Sequence, residues 1–197
     1  MVPETLLKSL GRSYLRCIEK GYTAYDRIKG KKPGNRNAWV GKYAEALWLS
    51  TVLPNHTGIR SKSIRVDPLS SVSNLGDPRR TDAAATLLSG ERAQFELKKS
   101  DYGGRRVEYQ LAAQIFDLGS GTYGAESLNV IYGENGRIDI YTREQGRKVV
   151  GEALKEGGSV ASPGPSKTIE FAPDRTAERS ARIAPPDGKS AAAGRSS

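Results

Sequence analysis

The sequence predicts an α/β fold: a small mixed sheet of four to five strands flanked by helices. Two observations carry that expectation. Apolar residues in the first quarter of the chain recur at three- and four-residue spacing, the period of an amphipathic helix. Further on, short apolar runs bounded by glycine turns alternate with two more stretches of helical spacing.

The elements follow in order. Pro3 suits the first turn of a helix, and Leu6, Leu7, Leu10, Tyr14, Cys17 and Ile18 form its stripe, with Gly21 closing it. Cys17 on that stripe reads as a small buried hydrophobe. Residues 30–37 (GKKPGNRN) read as a basic loop. A second helix is expected over 37–53, capped by Asn37 and ended by Pro54. Val40, Tyr43, Ala44, Leu47, Trp48 and Val52 are its apolar face, and Glu45 lies at the border of that face. Trp48 is expected in the core and Trp39 against the first helix. Residues 63–66 read as a short strand, and 67–78 as a loop rich in Ser, Pro and Gly. Residues 82–88 and 92–99 read as an antiparallel hairpin folded at Ser89-Gly90. Val107, Leu111, Ile115 and Leu118 give the next segment helical spacing. Residues 128–132 and 137–142 read as strands joined by a turn at Glu134-Asn135-Gly136, and 143–156 as a helix stopped by Gly157-Gly158. Residues 159–197 hold five of the ten prolines and one aromatic, Phe171, and are expected to be a disordered tail. The organisation read from the chain is therefore a basic helical segment over 1–36, a core over 37–158 and a tail over 159–197.

Charge narrows the function. The 197 residues carry a formal charge of +9, and residues 1–65, with 13 Lys/Arg against 4 Asp/Glu, hold an excess of the same size. Residues 66–158 are slightly acidic, at −2. The basic excess is densest at Arg27, Lys29, Lys31, Lys32 and Arg36, the pattern of a surface that attracts a phosphate backbone. One cysteine excludes a disulfide framework, and one histidine, His56, excludes a multi-histidine metal site within the chain. His56 is followed by Thr57-Gly58 in a loop after the helix and reads as surface. No apolar run approaches the roughly 20 residues needed to span a bilayer. Charges also interrupt the apolar stripe at the N-terminus, unlike a signal peptide, so a cytoplasmic protein without a membrane partner is expected.

The chemistry-bearing residues meet at the hairpin. Asp82 opens one strand, and Glu96-Leu97-Lys98 end the other. Alternate residues of a strand share a face, so Glu96 and Lys98 point one way while Phe95 and Leu97 point into the core. Folding at Ser89-Gly90 brings Asp82 level with Glu96 to Lys98. Hard oxygens from Asp82, Glu96 and the Leu97 carbonyl suit Mg²⁺, with Mn²⁺ as a substitute, because Mg²⁺ takes few protein ligands and keeps several waters. Lys98 is placed to assist the attacking water or to neutralise charge developing on phosphorus. Asp77, in Gly76-Asp77-Pro78, is a rival first carboxylate, but Asp82 begins the apolar strand.

This arrangement resembles the PD-(D/E)xK nuclease superfamily, the restriction-endonuclease-like fold. The resemblance rests on Asp82 and Glu96-Leu97-Lys98 on a hairpin flanked by helices, and covers about residues 37–142. Thr81 stands where the motif name has Pro. Glu45 matches the extra acidic residue that many members carry on the preceding helix, and Gln110, with Gln114 one turn on, matches the glutamine that related members place beside the site. The resemblance implies a four-stranded mixed core, a Mg²⁺-dependent site and cleavage of DNA or, less often, RNA. Many relatives dimerise, so a homodimer is an expected possibility. Arg105 and Arg106 after two glycines are candidate phosphate contacts, with Lys29, Lys31, Lys32 and Arg36 as the basic arm. The alternatives in play are an RNase or toxin-type tRNase of the same fold, a non-catalytic nucleic-acid-binding protein, and an interaction protein that recruits a partner through its tail.

Overall fold

The chain begins with a 24-residue helix, α1 (Glu4–Arg27), which carries Glu4 in its first turn and Arg27 in its last, both favourable to the helix dipole. The structure is a computed structural model and describes residues 1–28, 34–66, 81–101, 104–121, 124–156 and 162–171, apart from the side chains of 104–107. The predicted stripe is buried, with Leu7, Leu10, Tyr14, Cys17 and Ile18 in one core cluster. The stop expected at Gly21 is not made, and α1 continues to Arg27. Gly21 is instead a crossing point. A Cβ there would lie 3.1 Å from Val40 Cγ1 and 3.3 Å from Tyr43 Cδ1, so the missing side chain lets helix α2 (Arg36–Leu47) approach closely.

Asn35, rather than Asn37, caps α2, accepting from the backbone N–H groups of Asn37 and Ala38. The single helix expected over 37–53 is three pieces: α2, a π-helical turn (Trp48–Val52) and a 3₁₀ turn (Leu53–Asn55) that contains Pro54. Trp48 is buried in the core as expected, and its indole N–H donates to the Leu10 carbonyl at 3.1 Å.

Six strands form one mixed sheet: β1 (Arg65–Val66), β2 (Ala83–Thr86), β3 (Arg92–Lys98), β4 (Ser127–Tyr132), β5 (Arg137–Thr142) and β6 (Lys167–Glu170), in that spatial order. Neighbours are antiparallel except β3 and β4, which run parallel with Ala93 opposite Ser127 and Lys98 opposite Tyr132. Parallel neighbours need a crossover, and α3 (Gly104–Ser120) supplies it. Helix α4 (Arg143–Glu156) follows β5 directly and crosses α3 at Gly119 and Gly146, where a Cβ on Gly119 would fall 2.0 Å from the Gly146 carbonyl carbon.

Each face of the sheet has its own core. Side chains of α1, α2, β2 and β3, with Ile131, Ile138, Ile140 and Ile169, fill one. Ile115 and Leu118 of α3 and Val149 of α4 fill the other, against Leu128, Val130, Tyr132 and Tyr141. The expected α/β architecture holds, with one correction. The sheet has six strands rather than four to five, because residues 162–171 do not belong to a disordered tail. Ile169 pairs opposite Ile138, the Phe171 N–H donates to the Gly136 carbonyl at 2.8 Å, and the Phe171 ring covers Gly11 of α1. Two apolar side chains among polar ones gave this edge strand too little alternation to be read. Among the described residues, no helix is long and apolar enough to cross a membrane.

Candidate active site

Strand β3 is third of six, so Glu96 does not lie on an exposed edge. It is covered on both faces. Phe95 and Leu97 enter the core beneath α1 and α2, as the alternation predicted, while Glu96 and Lys98 bond to glutamines of α3. Glu96 is only 2% exposed. A carboxylate is costly at such a position unless its oxygens are satisfied.

They are satisfied by groups brought from two elements. Lys98 Nζ donates to Glu96 Oε1 at 2.5 Å and to Gln110 Oε1 at 2.9 Å. Gln110 Nε2 donates to Glu96 Oε1 at 3.0 Å, and Gln114 Nε2 donates to Glu96 Oε2 at 2.9 Å. The two glutamines stand one turn apart on α3, so the same helix face presents both amides to the strand. Asp82 joins from the residue before β2. The register that sets Ala83 opposite Phe95 carries it past the end of the pair, and its Oδ2 accepts from the Leu97 N–H at 2.6 Å.

Electrostatics ties Glu45 to the same cluster. Burial raises the Asp82 pKa well above the usual carboxylate range, and the negative charges of Glu96 and Glu45 raise it further. Burial also raises Glu45, with Glu96 adding to the shift and Lys98 and Lys42 opposing it. The buried Tyr14 hydroxyl is raised first by its burial and then by the charges of Asp82 and Glu45, with Cys17 and Glu96 adding less. Hydrogen bonds therefore bring Glu96, Lys98 and Gln110 together with Asp82 beside them at Leu97, and Glu45 is tied to them by electrostatics alone. Asp82 and Glu96, both ionised beside Lys98, leave one negative charge uncompensated, while Lys42 also opposes the charge of Glu45.

That imbalance bears on a metal. Among the described residues, no group of three or more His, Cys, Asp or Glu side chains is set to hold an ion. The donor set still fits a small hard cation. Asp82 and Glu96 offer carboxylate oxygens, Leu97 follows Glu96 and donates its N–H to Asp82, and Mg²⁺ needs only one or two carboxylates plus waters. A cation on Glu96 would share an oxygen now bonded to Lys98 and Gln110.

The remaining candidates are dispersed. Lys29, Lys31, Lys32 and Asp77 lie outside the described residues. Arg105 and Arg106 fall in the first turn of α3, with side chains outside the described set. Arg36 is exposed, but its guanidinium is held by both oxygens of Asp26 at 2.8 and 2.7 Å and lies 4.8 Å over the Tyr22 ring. His56 is half-buried, and its pKa is lowered by that burial. Nδ1 accepts from the Gly58 N–H and Nε2 lies 3.1 Å from Ser9 Oγ, so both ring nitrogens are engaged away from the carboxylates. Two features escaped the sequence reading. Gln114 was placed on the face of Gln110 by spacing, yet its grip on the second oxygen of Glu96 was not foreseen. Lys99, the residue after β3, bonds Tyr22 Oη at 2.9 Å and Glu134 Oε2 at 2.7 Å, tying α1 to the β4–β5 turn.

Comparison of the chain with protein-family models, with curated proteins and with solved structures finds no match in any of the three.

Proposed function

We propose that this chain is a metal-dependent nuclease that hydrolyses phosphodiester bonds, of DNA before RNA, with a restriction-endonuclease-like core and a site of the PD-(D/E)xK kind. One observation carries the reading. Buried Glu96 is held by Lys98, Gln110 and Gln114 at the end of a central strand, with Asp82 on the neighbouring Leu97 N–H, an arrangement of two carboxylates and one ammonium that a divalent cation would fit.

Asp82 and Glu96, with the Leu97 carbonyl, would hold Mg²⁺ or Mn²⁺. When bound, the ion polarises a phosphoryl oxygen and lowers the pKa of a water. The protein's own groups do the rest. Gln114 fixes the plane of Glu96 through Oε2, leaving Oε1 turned toward Lys98. Gln110 accepts from Lys98 and so aims the ammonium, which keeps one further N–H to donate. Lys98 thereby orients the attacking water and offsets negative charge as the new P–O bond forms and the ester P–O bond breaks. Glu45 adds the third carboxylate at the border of the cluster. The basic first third of the chain attracts the phosphate backbone.

The test is cleavage of plasmid, single-stranded and duplex oligonucleotides, a four-way junction and tRNA, with Mg²⁺, Mn²⁺ or EDTA. Metal-dependent products that vanish in Asp82→Asn, Glu96→Gln and Lys98→Met, with nucleic-acid binding retained, support the reading. No cleavage of any substrate by the wild type overturns it.

A further inference from the structure

Helix α2 has two flanks with different chemistry. At 100° per residue, Gly41 and Glu45 fall on one flank, Trp39 and Tyr43 on the other, and Lys42 on the crest between them. The first flank borders the carboxylate cluster through Glu45. On the second, Tyr43 stacks on Trp39 with ring centroids 5.2 Å apart and planes 17° from parallel. Trp39 leans on Tyr25 of α1 at 5.4 Å, which fixes the lower ring of the stack. Tyr43 is 36% exposed. The amphipathic pattern had assigned it to the core face.

We propose that Tyr43, backed by Trp39, is a stacking platform for an unpaired nucleobase of a single-stranded or splayed nucleic acid, whose backbone crosses Lys42 toward the carboxylate cluster. Three observations favour this occupant. A ring already stacked on another is rigid, and binding a base to its outer face orders little else. Lys42 is exposed on the crest of α2, where its ammonium can meet a phosphate while it offsets the charge of Glu45. Residues 1–65, which include both rings, hold a charge excess of +9, which favours a polyanion. A helix about 10 Å across is spanned by about three nucleotides at roughly 3.4 Å each. A base within a duplex has both faces covered and would first have to leave the stack. The link from platform to cluster rests on the nuclease reading; the platform itself does not.

The experiment measures binding in EDTA, so that cleavage plays no part. A fluorescein-labelled single strand of about twelve nucleotides, within the site size of such grooves, is compared with its duplex by anisotropy. Tyr43→Ala is expected to weaken single-strand binding about five- to a hundredfold and to leave duplex binding within about twofold, while Tyr43→Phe binds like the wild type. Because Trp48 is fully buried, the single strand is expected to quench the fluorescence of Trp39, and Trp39→Phe to abolish the quench. Equal binding by wild type and Tyr43→Ala, equal losses on both probes, or an unquenched Trp39 overturns the platform. A wild-type protein that cuts no substrate with Mg²⁺ or Mn²⁺ yet binds the single strand through Tyr43 refutes only the nuclease reading.

Discussion

Lys98 Nζ lies 2.5 Å from Glu96 Oε1, two residues away along β3, and the same ammonium reaches Gln110 Oε1 at 2.9 Å. Glu96 is nearly inaccessible, whereas the Lys98 side chain keeps 19% exposure, so the pair is anchored by its carboxylate and opens through its lysine. Partners in such a pair are not equivalent. Removing the cation leaves buried negative charge uncompensated; removing the Glu96 charge relieves a crowded cluster.

The first prediction follows from that asymmetry. Lys98→Met is expected to destabilise the fold by about 2–4 kcal/mol, and Glu96→Gln by less than about 1 kcal/mol. Equilibrium urea denaturation measures both. Equal losses would mean that the cluster is not under repulsion.

The second concerns pH. The folded pKa values of Asp82 and Glu45 are raised, burial being the larger cause in each. A raised carboxyl favours the fold below its unfolded pKa, and that contribution disappears as pH rises through the folded value. Stability from these two groups should therefore fall between mildly acidic and mildly alkaline pH. Asp82→Asn keeps an acceptor for the Leu97 N–H, and is expected to flatten this fall and raise the melting temperature at about pH 8. A steeper fall in the variant would contradict the cause given.

A third prediction couples pH to metal. A divalent cation that binds the ionised carboxylates stabilises the folded chain by mass action. The rise in melting temperature with Mg²⁺ should be larger at about pH 8 than at about pH 5, and absent in Glu96→Gln. Thermal scans at both pH values would show it. An equal rise in wild type and variant would place the ion elsewhere.

The fourth addresses the last strand. Phe171 is buried against Gly11, and a Cβ on Gly11 would come 2.6 Å from its ring. Phe171→Ala is expected to cost about 3–5 kcal/mol. Gly11→Ala alone should also destabilise, but much less in the Phe171→Ala background, where the clash is gone. Additive losses in a double-mutant cycle would show that the two residues do not touch.

Much of this architecture was legible where local pattern and tertiary role coincide. The strand over 137–142 and the helix over 143–156 have the bounds their patterns predict. The pairing of Asp82 with the Glu96–Lys98 strand end followed from hairpin folding and alternation alone. Other features needed the whole fold. Gly21 reads as a stop, yet serves as a crossing, because a sequence does not show which helix will press on it. The strand holding Ile169 has almost no alternation and exists because β5 offers an open edge. The burial of Glu96 could not be read from its strand, since it is α3, folded across that face, that covers it. Gln114 was visible as a neighbour of Gln110 by spacing, while its bond to Glu96 depends on the crossing of helix and strand.

The most direct measurement of the central claim is the position of Mn²⁺, located by anomalous diffraction from crystals of the wild-type protein grown with the ion. The account predicts one peak about 2.1 Å from carboxylate oxygens of both Asp82 and Glu96, the distance expected for a small divalent ion on oxygen, with Lys98 moved from Glu96 Oε1. A protein saturated with Mn²⁺ that shows no peak between these carboxylates, or shows its peak at another site, would contradict it.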